Sequence, residues 1–101
     1  MTTIDIDAIH KALANPVRRE ILAALKEPSA RFPEQVLSLE HGVCASAING
    51  SCGLSQSTVS AHLAVLQSAG LVSTQRIGQW VFFKRNEAVI QAFLEALHTD
   101  L

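Results

Sequence analysis

The 101-residue chain has no apolar run near the ~18 residues needed to cross a bilayer, although 49% of it is hydrophobic. Its N-terminus lacks the basic segment followed by an apolar one that marks a secretory signal. Only two cysteines are present, Cys44 and Cys52. Without an export signal they point to free thiols in a reducing cytoplasm rather than to a disulfide framework. No phosphate-cradling glycine loop or dinucleotide fingerprint occurs, and His10, His41, His62 and His98 are scattered. Gly50-Ser51-Cys52-Gly53 is like a protease cysteine loop only superficially, because the flanking residues are wrong. These absences argue against an enzyme.

A further absence is acidic. From His41 to Asn86 there is no Asp or Glu, while Arg76, Lys84 and Arg85 lie in that span. A net charge of −1 alone speaks against a nucleic-acid binder. The segregation of the acids speaks for one, since one half of the molecule is left free to face phosphates. Chance clustering is the alternative. The length fits a single domain, residues 1–101, with a thin core that oligomerisation would help.

What is present centres on Gly53 to Val72. Gly53 suits the positive φ that ends a helix, and Ser55 suits the cap of the next one. Val59, Leu63 and Leu66 then recur at helical spacing. The opposite face carries Ser57, Ser60, Ala61, Ala64 and Ser68, with no Glu or Lys. A helix without bulky hydrated side chains can approach another surface closely, and a DNA major groove just admits an α-helix. Gly70 ends this helix. His62, at the edge of the apolar stripe, reads as a hydrogen-bonded structural histidine rather than a general base.

The flanking segments follow from local signals. Asp5 or Asp7 can cap a first helix in which Ile6, Ile9 and Leu13 share a face. Asn15-Pro16 restarts the chain as cap and first helical residue, opening a helix to about Lys26 with Val17, Ile21 and Ala24 inward. Arg18 and Arg19 point away from that stripe, either toward phosphate or as surface charge paired with Glu20 or Glu27. Pro28 and Pro33 break the stretch from Glu27 to Gly42; Pro33-Glu34-Gln35 can open a turn carrying Val36, Leu37 and Leu39. This connection reads as a lid, a dimer contact or a surface loop. Ser46 is expected to cap a short, weakly helical segment, Ala47 to Cys52. Val72 to Arg76 and Trp80 to Lys84 read as a hairpin joined through Ile77-Gly78-Gln79. At least two of Trp80, Phe82 and Phe83 are expected in the core, with base stacking as the alternative. Asn86 caps a last helix whose stripe of Ile90, Phe93, Leu94, Leu97 and Leu101 is broad enough to need a partner.

Three blocks in order resemble the ArsR/SmtB family of winged-helix repressors: Leu13-Ala14-Asn15-Pro16-Val17-Arg18-Arg19-Glu20-Ile21-Leu22, the Gly53–Val72 stretch, and Arg76-Ile77-Gly78-Gln79-Trp80-Val81-Phe82-Phe83. The resemblance implies a mainly α fold of about five helices plus a two-stranded wing. It also implies a homodimer built on the first and last helices, with recognition helices placed for half-sites one DNA turn apart. Ser55, Gln56, Ser57, Thr58, Ser60, Ala61 and His62 are then the candidates for the major groove. Arg76 and Gln79 belong to the wing tip, and Lys84, Arg85, Arg18 and Arg19 are candidates for phosphate. The implied function is a sequence-specific duplex-DNA-binding repressor released by an effector that the sequence does not identify. A winged helix serving as a protein or RNA interaction module is the alternative.

The family's metal ligands are incomplete here. Its Cys-x-Cys reads Cys44-Ala45-Ser46, its Asp-x-His reads Asn86-Glu87-Ala88, and His98 stands alone, so neither a metal nor another cofactor is expected. A helix joining Cys44 to Cys52 would separate their Cα atoms by about 12 Å, beyond the ~7 Å a disulfide allows. Cys52 is expected to be buried and structural. Cys44, near a helix start that favours thiolate, is the candidate thiol sensor.

Overall fold

The computed structural model describes residues 3–101. Asp5 caps α1 (Ile6–Leu13), its carboxylate accepting the Ala8 N–H at 3.0 Å. Asn15 caps α2 (Pro16–Lys26) by accepting from the Val17 and Arg18 N–H groups at 2.9 and 3.1 Å, with Pro16 at the first helical position. Both starts are those expected from the sequence. Ile9, Ala12, Ile21, Leu22, Ala24 and Leu25 are buried where the two helices meet the rest of the core.

The stretch after α2 holds more structure than its prolines suggested. It forms a single turn, α3 (Pro28–Arg31), then an irregular loop, a 3₁₀ turn at Leu39–His41 and a two-residue strand, β1 (Val43–Cys44). Phe32 is buried beneath it. The Gln35 side chain fastens the loop: its amide donates to the Leu37 and Gly42 carbonyls, and its carbonyl accepts the Cys44 N–H at 2.9 Å. Gly42 has φ +112°, and a Cβ there would lie 2.5 Å from the Phe83 carbonyl oxygen. Only glycine lets the chain pass this close to the next strand.

α4 (Ala45–Cys52) begins two residues earlier than expected. The residue at its cap position is Cys44, whose extended backbone at the end of β1 turns into the helix with no side-chain cap bond. Ser46 lies inside the first turn instead, and its hydroxyl meets the Cys44 thiol at 3.3 Å. Gly53 then takes φ +67° and closes α4. Ser55 caps α5 (Gln56–Ser68) by accepting the Thr58 N–H. Val59, Leu63 and Leu66 are buried, as their spacing required.

β2 (Val72–Ile77) and β3 (Trp80–Arg85) pair antiparallel, with Ile77 opposite Trp80 across a Gly78-Gln79 turn. β1 adds a third strand, pairing Val43 with Phe83 and Cys44 with Phe82, so the sheet order is β1-β3-β2. Phe82 and Phe83 are buried and Trp80 is 41% exposed. Asn86 caps α6 (Glu87–Asp100) by accepting the Val89 N–H. Only Val89 and Phe93 of α6 are buried, while Leu94 is 51% and Leu101 97% exposed. His10 of α1 stands edge-on to Phe93 of α6, ring centroids 5.3 Å apart. Among the described residues no helix is long and apolar enough to cross a membrane.

Candidate nucleic-acid interface

α4, the turn at Gly53–Ser55 and α5 form a helix-turn-helix, and the β2–β3 hairpin follows directly. The buried stripe of α5 faces the core, which forces its other side outward. Gln56, Ser57, Thr58, Ser60, Ala61 and Ala64 are all exposed. At the helix start the hydroxyls bond to one another: Ser55 Oγ lies 2.7 Å from Thr58 Oγ1 and 3.3 Å from Ser57 Oγ. The outward face therefore carries short polar groups, methyl groups and two exposed amides, Gln56 and Gln67, with no charged side chain.

A cleft of about 320 Å³ runs between α4, α5 and the turn end of the hairpin, bordered by Asn49, Gln56, Ser60, Gln79 and Trp80. The buried Oδ1 of Asn49 finds no hydrogen-bond partner. Arg76 is exposed near the hairpin tip, its Nε donating to the Gly78 carbonyl at 3.2 Å. Gln79 and Lys84 are exposed as well.

The other basic candidates make bonds within the fold. Arg18 donates to the Lys11 and Ala12 carbonyls and meets His62, while Arg19 donates to the Leu13 carbonyl at 2.6 Å. Both therefore reach back to carbonyls at the end of α1, of which that of Lys11 also accepts the Ala14 N–H, rather than pairing with Glu20 or Glu27. Glu20 pairs instead with Arg31. Arg85 is drawn inward onto the Leu22 carbonyl and Glu87. Its hydrogen bond to Glu87 at 2.5 Å holds that carboxyl below the usual carboxylate range, against the opposing effect of burial. With a lowered folded-state pKa the pair favours folding at neutral pH, and this is lost as acid protonates Glu87. Glu87 is 69% exposed, so solvent keeps the effect small.

The two cysteines exchange the environments expected of them. Cys44 is buried at the β1–α4 junction, and Cys52 is half-buried beside a groove of about 500 Å³ lined by Val17, Ile21, Phe32 and Ile48. The strand that sequence reasoning missed accounts for the difference: pairing β1 onto β3 covers Cys44. The family's metal positions do not fit a metal. Ser46 and Asn86 stand where ligands would be needed, Asn86 spends its side chain on the α6 cap, and among the described residues no three of His, Cys, Asp and Glu converge.

Comparison with known proteins agrees with this geometry. The helix-turn-helix domain family matches residues 13–75. The chain is 38% identical to the uncharacterized HTH-type transcriptional regulator YbzH of Bacillus subtilis, over 92% of this chain and 95% of that protein. It is 35% identical to the transcriptional activator HlyU of Vibrio cholerae, over 87% and 69% of the two chains. It is 30% identical to the putative arsenical resistance operon repressor ArsR2 of Halobacterium salinarum, over 85% and 62%. Among solved structures it resembles a homodimeric winged helix-turn-helix DNA-binding domain from Mycobacterium bovis, described as a possible ArsR-family regulator. There the TM-score is 0.66 and the identity 27%, over 93% of this chain and 76% of that one. Three-block motif, winged fold and relatives agree: this chain belongs to the ArsR family of winged helix-turn-helix transcriptional regulators.

Proposed function

We propose that the chain acts in the cytoplasm as a homodimeric repressor, laying α5 of each protomer in the major groove of an operator until an effector weakens binding. The observation that carries this is the outward face of α5, where Gln56, Ser57, Ser60, Ala61 and Ala64 are exposed and uncharged. A dimer through α1 and α6 supplies the cover that the exposed Leu94 and Leu101 lack in one chain. It also sets two copies of α5 at a fixed separation. Ser55, Ser57, Thr58, Ser60 and Ala61 set the close approach, with His62 at its margin. Gln56, whose amide can pair with adenine N6 and N7, reads sequence. Arg76, Gln79 and Lys84 meet the backbone from the wing. Arg18 and Arg85 are left out of the phosphate contacts because their donors are committed within the fold, whereas the exposed Arg19, with only Nη1 bonded to the Leu13 carbonyl, stays a phosphate candidate.

This division makes two expectations. Gln56→Ala should relax base preference at one position in each half-site by about 1–3 kcal/mol, with little change on random duplex. Arg76→Ala should weaken all duplexes alike and flatten the salt dependence by about one unit per protomer. Titrations of a selected operator and a random duplex across a salt series measure both; equal effects of the two changes on specific and random DNA contradict the division. The function itself is tested by enriching a random duplex library on the wild-type chain. Recovery of a two-fold-related motif supports it, and retention of single strands or RNA in preference to duplex overturns it.

A further inference from the structure

Arg18 makes a bridge that neither helix-capping nor DNA contact by itself accounts for. From α2, its Nε donates to the Ala12 carbonyl at 2.6 Å and its Nη2 to the Lys11 carbonyl at 3.0 Å. Its Nη1 lies 3.2 Å from Nδ1 of His62. A guanidinium carries donors and no acceptor, so Nδ1 must accept here and the ring proton must sit on Nε2. His62 lies on α5, directly after Ala61 and two residues from Ser60, both on the outward face. One side chain therefore joins the end of α1 to the second turn of the helix that faces outward. α1 in turn lies against α6 through His10 and Phe93.

We infer that Arg18 is a positioning residue for DNA reading: it locks His62 as an Nε2–H donor and fixes how α5 sits relative to the α1–α6 flank. This rests on α5 being the DNA-reading helix. The planar fork matters, because three donors in fixed geometry reach two carbonyls and an imidazole together. A lysine ammonium can satisfy the carbonyls but is not preorganised to hold the ring as well. The locked tautomer also restricts what His62 can meet. It offers a donor, which suits a phosphate oxygen or a purine N7 and does not suit an exocyclic amine.

The test is a double-mutant cycle on an operator fragment selected with the wild-type chain. Arg18→Lys should lower operator affinity about tenfold, and the same change in a His62→Ala background should lower it less than about twofold, as expected of a coupled pair. Equal losses in both backgrounds overturn the proposal and leave Arg18 as a helix cap. Imidazole nitrogen NMR of the free wild-type chain, at a pH where His62 is neutral, should show a bare Nδ1 and a protonated Nε2, with Arg18→Lys giving a mixture of tautomers. A wild-type ring protonated on Nδ1 overturns the proposal without any variant, should Arg18→Lys fail to fold. If the wild-type chain enriches no duplex at all, the DNA reading fails and this proposal falls with it. That outcome is distinct from wild-type binding with additive losses.

Discussion

Ala61→Glu should abolish operator binding, lowering affinity at least about 100-fold at physiological salt, while changing unfolding free energy by no more than about 0.5 kcal/mol. Ala61 is exposed on the second turn of α5. Glutamate is a good helix former and needs no space in the core at that position. In the complex it sets a carboxylate against the phosphate walls and adds bulk where the helix must lie close. A two-fold dimer suffers this twice. Ala61→Lys separates the causes, because it adds similar bulk with the attractive charge. It should keep or raise affinity for random duplex while erasing the margin between operator and random sequence. Gel shifts with both duplexes, beside thermal melts, provide the measurement. If both variants bind as the wild type does, the outward face of α5 does not enter the groove.

Leu66→Ala should cost about 3 kcal/mol and lower the melting temperature by roughly 15 °C at fixed protein concentration. Leu66 is fully buried, and it lies on α5 directly behind the outward face. Truncation leaves a cavity that neighbours on several elements cannot all relax into. A domain of this size has little stability to spare, so DNA binding should fail near 37 °C and return on cooling. That temperature dependence distinguishes it from Ala61→Glu, which should be defective at every temperature. Val36→Ala is the control, since Val36 is 98% exposed and should change stability by under about 0.5 kcal/mol. A Leu66→Ala melt within a few degrees of wild type would mean that the packing around α5 differs from that described.

The parts of this molecule legible in sequence are those whose signals are local. Ser55 capping α5, Asn15 and Pro16 opening α2, and the Val59-Leu63-Leu66 stripe each report on a neighbour within one or two helical turns. The hairpin was legible because its turn is two residues long and its pairing is between adjacent strands. β1 was not, since two residues cannot display a period and their partners, Phe82 and Phe83, lie some forty positions away. The placement of Cys44 and the true start of α4 were lost with it, because Ser46 offered a plausible cap and nothing local argued for a strand. The retreat of Arg18 and Arg19 onto α1 had a readable trace. The end of α1 leaves carbonyls at Lys11, Ala12 and Leu13, and two arginines just past the Asn15-Pro16 corner are the nearest donors. Reading their direction from the α2 stripe alone missed this, since a guanidinium reaches back across a corner that helical periodicity does not describe.

The shallow seating of α6 bears on how the regulator responds to its own abundance. With Val89 and Phe93 as its only buried residues, α6 is left, in the proposed dimer, for a second chain to complete. Where most copies are single, the paired form grows with the square of total chain. Promoter occupancy then climbs more steeply than gene dosage, and doubling the supply of chain at low levels nearly quadruples the species able to silence its target.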